Sequence, residues 1–325
     1  MQNKFVVSLL VVLGILAVAA AGQCAPRGEG DRYPTKPINY LVVWDPGGQS
    51  DRTARLQQPL LEKMLKQKII IDYKVGGGGA VGWSQFVRSR PDGYSIAGTN
   101  LPTIITQPML QDVGYTTDQF LPICDFQYTP LVMAAKKDTP YKTVKDFLAA
   151  AKADPGKRSI GVVALWSIGH IAALNLMKDA GIQAQIVPHT GSASAISNIM
   201  GGHVDVGMVF SDDMIRMKDQ IHVLAVATKE KFPGAEDVPT FKEQGFDYDA
   251  GVSRGIGLPA GAPDYALKKL EKVFVEITNS PEYVQTMRSQ GFVPRALNSE
   301  QFKAEIARQR AFWRDALKDA DIKKK

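Results

Sequence analysis

At 325 residues, with 45% hydrophobic and 22% charged side chains, the chain can bury a sizeable core as one large domain or two ordinary ones, and disorder is excluded. The formal charge of +6 is spread along the sequence, apart from a final Lys323-Lys324-Lys325 that reads as a solvated tail. No zinc-finger spacing, RNP-like aromatic motif or basic helix is present, so nucleic acid is not an expected partner.

The opening MQNKFVVSLLVVLGILAVAAAGQC has one lysine, Lys4, ahead of an uncharged apolar run from Phe5 to Ala21. A short positive region, an apolar region and a small-residue exit make a secretory signal, assigned to residues 1–23. A permanent membrane anchor is the competing reading, because the run is close to minimal spanning length. No later run approaches it, so the remainder is expected in the periplasm or at the outer face of the cell membrane. Two cleavage readings stand: a cut after Ala21, or lipidation of Cys24 in the loose lipobox AAGQC, the latter slightly favoured although Gln23 is unusual there. Lipidation leaves the other cysteine, Cys124, unpaired; otherwise a disulfide between the two is permitted.

From Tyr33 onward, short β-like runs alternate with helical patterns. INYLVVW (38–44) reads as a strand, followed by a helix capped by Ser50 or Asp51, with Leu60, Leu61, Met64 and Leu65 on its apolar face and Pro59 expected to bend it. KIIIDYKV (68–75) is a second strand, then four glycines, a helix through Trp83, Phe86 and Val87, and a Pro91-Asp92-Gly93 turn into a third strand. A second set starts at the capping-box-like Thr143 and runs through strand 159–163, a helix ending at Gly181, and further strands in QAQIVP, VDVGMVF and IHVLAVA. Helices are expected around 263–278 and 299–319, the last with Phe302, Ile306, Trp313 and Leu317 as a core face. Such alternation predicts an α/β protein with largely parallel sheets, whose ligand loops would be 44–51, 76–82, 164–170 and 189–194.

The stretch WDPGGQSD raises a chemical question. Gly47 and Gly48 let a ligand approach the main chain, and Ser50 and Asp51 stand where unpaired N–H groups favour an anion. The plainer reading is a glycine turn with an ordinary cap, and the carboxylates of Asp45 and Asp51 count against the anion unless they point away or hold loop amides. GGGAVG (77–82) matches a dinucleotide fingerprint only formally, since no acidic residue near Thr99-Asn100 would hold a ribose; a close-packed strand–helix turn is preferred. GVSRG (251–255) matches the nucleophile elbow around Ser253, but the following IGLPAGAP reads as strand and loop rather than helix. The histidines, His170, His189, His203 and His222, lack metal-ligand spacing, so neither metal nor cofactor is expected. His170 opens a helix beside the expected cleft, and HTGSAS (189–194) offers another anion-friendly helix start.

YPTKPINYLVVWDPGGQSDRTARL resembles the opening of the tricarboxylate-transporter-type periplasmic solute receptors, the Bug or TctC family. The likeness continues through VGGGGAVGW, RPDGYSIAGT, VKDFLAAAKADPGK, GGHVDVGMVF, LAVAT, VPTFKEQGF and GIGLPAGAP. The resemblance implies a two-lobed type II periplasmic-binding-protein fold, each lobe a mostly parallel sheet flanked by helices. The expected lobes are 33–133 plus 252–325 and 134–251, with hinges near 130–136 and 247–255. It also implies a non-enzymatic, monomeric receptor that takes a small organic carboxylate to membrane transporter subunits, with a secreted hydrolase using Ser253 or a sensory or scaffold protein as the alternatives. The ligand grip carries over to Trp44, Gly47, Gly48, Gln49, Ser50 and Asp51 on one side and to Trp166, Ser167, Gly169, His170, Thr190 and Gly191 on the other, with Gly79 and Asn100 nearby. Two departures bear on the ligand: Asp45 where the family usually has a small residue, and Leu165-Trp166 where small polar residues are usual. Trp166 either narrows the site, stacks on an aromatic acid or packs in the core.

Overall fold

The computed structural model describes residues 29–319, so the leader and Cys24 lie outside the described residues. In chain order, β1 (Ile38–Val42), α1 (Gln49–Leu65), β2 (Ile69–Tyr73), α2 (Ala80–Phe86), β3 (Ser95–Leu101) and α3 (Thr103–Leu110) lead into β4 (Phe120–Lys136). Then follow α4 (Val144–Ala153), β5 (Ser159–Val163), α5 (Ile168–Ala180), β6 (Gln185–His189), α6 (Ser192–Gly201), β7 (Val206–Phe210), α7 (Ser211–Arg216) and β8 (Ile221–Val226). The chain returns through β9 (Gly251–Pro259), α8 (Asp264–Asn279), α9 (Pro281–Ser289), β10 (Val293–Leu297) and α10 (Ser299–Asp319).

β1 pairs in parallel with β2 and β3, and β5 pairs in parallel with β6 and β7. These are the strands joined by helical crossovers, as parallel neighbours require. Antiparallel pairs arise where β4 and β9 join the two sheets: β9 lies between β3 and β4, while β7, β8 and β10 also pair with β4. The path is one curled sheet, β2-β1-β3-β9-β4-β7-β5-β6, flanked by helices.

β4 is the pivot of this arrangement. Over its first part it pairs with β9, down to Pro130 opposite Gly251; from Leu131 opposite Phe210 it pairs with β7. Pro130 has no N–H to donate, which suits the point where the ladder changes partner. The Leu131 N–H instead goes to the Ala250 carbonyl, and the Ala250 N–H to Ala227.

Two buried apolar clusters form, one confined to the β1–β9 side and a larger one that continues from that side into the β5–β7 sheet. Behind β1 and β9, α8 presents Ala266, Leu270, Val273, Phe274 and Ile277 at helical spacing against Ile38, Ile96, Ile256 and Leu258, all buried. Each fully buried large side chain there contributes about 1.5–3 kcal/mol over exposure. α10 buries Phe302 and Trp313, with Ile306 and Leu317 packed alongside, the face its spacing predicts. Pro59 sits inside α1, which continues unbroken from Gln49 to Leu65.

Candidate functional site

The loop after β1 is built by its own side chains. The Trp44 indole is buried and donates to Asn100 Oδ1 at 2.8 Å, tying the ends of β1 and β3 together. Gly47 takes a φ of 75°, a conformation glycine reaches without strain. Its N–H donates to Asp51 Oδ2 at 2.7 Å, while Asp51 Oδ1 accepts from the Tyr73 hydroxyl at 2.6 Å and pairs with Arg55 at 2.8 Å. Asp51 is thus fully engaged in holding the loop.

The facing lobe offers the starts of α5 and α6. Ser167 caps α5, accepting from the His170 N–H at 3.2 Å, and His170 Nδ1 accepts from the Trp166 N–H at 2.9 Å. Burial lowers the His170 pKa to about 4, so the ring stays neutral and Nδ1 stays an acceptor. Ala164 and Trp166 hold φ values of 72° and 63°, left-handed conformations uncommon for residues with a Cβ. The His170 contact, and a bond from Thr106 Oγ1 to the Trp166 carbonyl at 2.7 Å, hold Trp166 in that shape.

Between the lobes lies a small cavity of about 20 Å³, room for about one water. Gln49 and Ser50 of α1, Ser167 and Ile168 at α5, and Ser192 of α6 meet around it. Trp44, Asn100 and Thr103 form one wall, and Val163, Phe210, Val252 and Arg254 the floor. Three helix N-termini therefore converge on one small volume, which concentrates unpaired N–H groups and positive potential there.

Beneath the cavity is a buried charge cluster. Arg254 donates to Gln49 Oε1 and, at 2.5 Å, to Ser50 Oγ, while its Nε is buried without a partner. Gln49 Nε2 and Arg52 converge on Asp212, and Asp213 pairs with Arg216 at 2.8 Å. Burial raises the pKa of both aspartates, that of Asp213 to about 7, with the Asp212 charge adding to the effect. Burial lowers Arg254 to about 10, which leaves it a cation at neutral pH.

Residues 53–322 match the sequence profile of the tripartite tricarboxylate transporter family receptor. The chain belongs to that family. It is 24% identical to protein BugT of Bordetella pertussis over 323 residues, 98% of each chain. Its fold matches the periplasmic binding protein BugD with a TM-score of 0.84 and 26% identity, covering 90% of this chain and 99% of that one. It also matches Rpa4515 of Rhodopseudomonas palustris, solved with adipate, with a TM-score of 0.84 and 24% identity, covering 89% and 98%. The curled α/β architecture is therefore that of the periplasmic solute receptors, and membership implies export. Among the described residues no helix is long and apolar enough to cross a membrane.

Of the residues the sequence pointed to in this receptor, Trp44, Gln49, Ser50, Asn100 and Ser167 line the cavity. Gly47, Gly48, Asp51, Gly169, His170 and Gly191 shape the loops behind it; a Cβ on Gly48 would lie 2.9 Å from the Asp45 carbonyl, and one on Gly169 3.2 Å from Met208. Gly79, Trp166 and Thr190 do not line it. Gly79 lies against the Trp83 ring, Thr190 is exposed, and the Trp166 ring packs on His170 with centroids 5.0 Å apart. Arg254, Phe210 and Val252 escaped the sequence reading, while Ser192 was reached only as part of the 189–194 loop. The GVSRG stretch drew attention to Ser253, but alternation along β9 turns Arg254 to the opposite face, towards the cavity. Ser253 is bonded to Asp125 at 2.5 Å and to Arg295 at 2.6 Å, a carboxylate and a guanidinium, so no histidine stands in hydrogen-bond contact with the serine of the elbow reading.

Proposed function

We propose that this receptor captures a small organic carboxylate between its lobes, without turning it over, and presents the closed form to its membrane transporter. The observation that carries the reading is Arg254: among the described residues it is the only charged side chain lining the cavity, is 6% exposed, and stands below three convergent helix starts. A cation and oriented amides in a narrow cleft select an anion, and the forked guanidinium suits a carboxylate. The family's receptor role and the adipate in Rpa4515 support the same class.

The lobes in this reading are 33–133 with 252–325 and 134–251, with hinges near 130–136 and 247–255, where β4 changes partner and β9 begins. Closure is expressed in contacts that cross the cleft: Gln49 N–H to Ser192 Oγ at 2.9 Å, Thr106 to Trp166, and Arg52 with Gln49 to Asp212. A ligand that adds contacts to both sides shifts the population towards this form. The receptor acts as a monomer, lipid-anchored through Cys24.

Thermal melting of the mature protein against mono-, di- and tricarboxylates, with matched amides as controls, tests the reading. A ligand at about a hundredfold its Kd stabilises by roughly 2.7 kcal/mol. Arg254→Gln should weaken binding of the responding acid by about 1.5–3 kcal/mol, the worth of a charge-assisted bond, or roughly tenfold to 150-fold in Kd. Equal shifts with acids and amides, or an unchanged Kd in the variant, would refute it.

A further inference from the structure

We infer that Asp45 occupies the place of a ligand carboxylate at the start of α6, and so restricts the cleft to ligands presenting a single carboxylate, which goes to Arg254. The inference rests on the carboxylate-receptor reading and names its substrate class.

Asp45 follows Trp44 in the loop after β1, yet its side chain crosses to the other lobe. Oδ2 accepts from the Ser194 N–H at 3.2 Å, inside the first turn of α6. Oδ1 enters the notch left by Gly191, where an added Cβ would lie 1.3 Å from it. Gly191 has a φ of 179°, extended backbone open to any residue, so space rather than conformation is what demands glycine. Oδ1 is buried without a hydrogen-bond partner. The protein's own anion therefore takes the most anion-attracting feature of the second lobe, and a second carboxylate approaching it would meet like charge.

What remains for a ligand is different in kind. Arg254 keeps a buried, unpartnered Nε, and among the described residues no other charged side chain lines the cavity. Around it the lining is uncharged, with hydroxyls and amides on both sides of the cleft, Ser167 and Ser192 included, and apolar groups at Val163, Ile168, Phe210 and Val252. One cation and an uncharged surround match one carboxylate on an uncharged body. Dicarboxylates would place their second charge where no second cation lines the cavity, or towards the start of α6, where Asp45 already stands.

Calorimetric titration with acid pairs of equal carbon number, hexanoate against adipate and butyrate against succinate, tests the assignment on the mature protein. The native receptor should favour the monocarboxylate of a pair at least tenfold. Asp45→Gly, which empties the notch, should reverse or erase that preference, and Asp45→Asn, which keeps the shape without the charge, should narrow it. A second arm needs no cognate ligand: millimolar acetate, but not acetamide, should raise the melting temperature of Asp45→Gly and leave the native protein unchanged. Adding Gly191→Ala to Asp45→Gly should abolish that response by filling the notch. An unaltered preference in both Asp45 variants, or an acetate response equal to that of acetamide, would overturn the inference while leaving the carboxylate-receptor reading intact. If no acid of either kind binds native or variant protein, the receptor reading falls and this inference with it.

Discussion

Replacing Arg254 by Met removes a cation from a cluster in which Asp212 and Asp213 are fully buried. The methionine fills much of the volume, so the principal loss is electrostatic. Asp212 keeps Arg52 and Gln49 but loses the attraction of Arg254, one of the influences that lower its pKa against burial. Breaking a buried charge set from one side costs about 3–5 kcal/mol, mainly because the remaining charge stays desolvated. For a chain of this size, with an unfolding entropy of about 2.1 cal/mol/K per residue, that is a fall in melting temperature of roughly 4–8 °C. The pH dependence has a definite sign. Losing Arg254 raises the folded pKa of Asp212 further above its unfolded value, so the native state binds the additional proton. The deficit of the variant should therefore be smaller at pH 5 than at pH 8. Urea unfolding of Arg254→Met, Asp212→Asn and the double variant provides the assay. The double variant should recover about 0.5–3 kcal/mol relative to the sum of the singles. Strict additivity, or an Arg254→Met deficit that does not grow with pH, would show that the guanidinium and Asp212 are not energetically coupled.

Three further outcomes are expected. The Asp213 pKa, raised by burial to about 7, makes its contribution to stability full below the unfolded value near 4 and lost as pH rises through 7; unfolding of the native protein against Asp213→Asn across pH 4–8 should show that slope only in the native protein. His170, held near 4, has the opposite sign: native stability relative to His170→Gln should fall as pH drops from about 6.5 to 4, and a flat difference would argue against a buried neutral ring. Gly255→Ala places a methyl 2.3 Å from the Phe302 ring and 2.7 Å from the Cys124 carbonyl, and should cost about 1–3 kcal/mol, partly recovered by Phe302→Leu; an unaffected melting temperature would mean that α10 moves aside freely.

Much of the fold was legible because burial of one face leaves a period in the sequence. β1, β2 and β3 with their helices, and β5 to β8 with theirs, are short apolar runs separated by caps and glycines, as their burial now explains. β4 was not legible. FLPICDFQYTPLVMAAK is buried almost throughout, on both faces, so it shows no alternation, and its two prolines argue against a central strand. α3, α7, α9 and β10 were likewise passed over, being short and weakly patterned.

The site divides in the same way. By itself the sequence determined that backbone amides would gather at the loops after β1, β5 and β6, because glycines, serines and helix starts are local features. It also determined the receptor family, through motifs spread from Tyr33 to Pro263. Only the tertiary structure decided where the charges go. Arg52, Arg254, Asp212 and Asp213 read as ordinary solvated residues, and Asp45 as a loop carboxylate of open direction, until distant strands bring them together. Asp45 and Gly191 are neighbours across 146 positions of chain, and Arg254 and Gln49 across 205. A carboxylate's role depends on which amides and cations surround it after folding, and that surrounding is a long-range property no local pattern encodes.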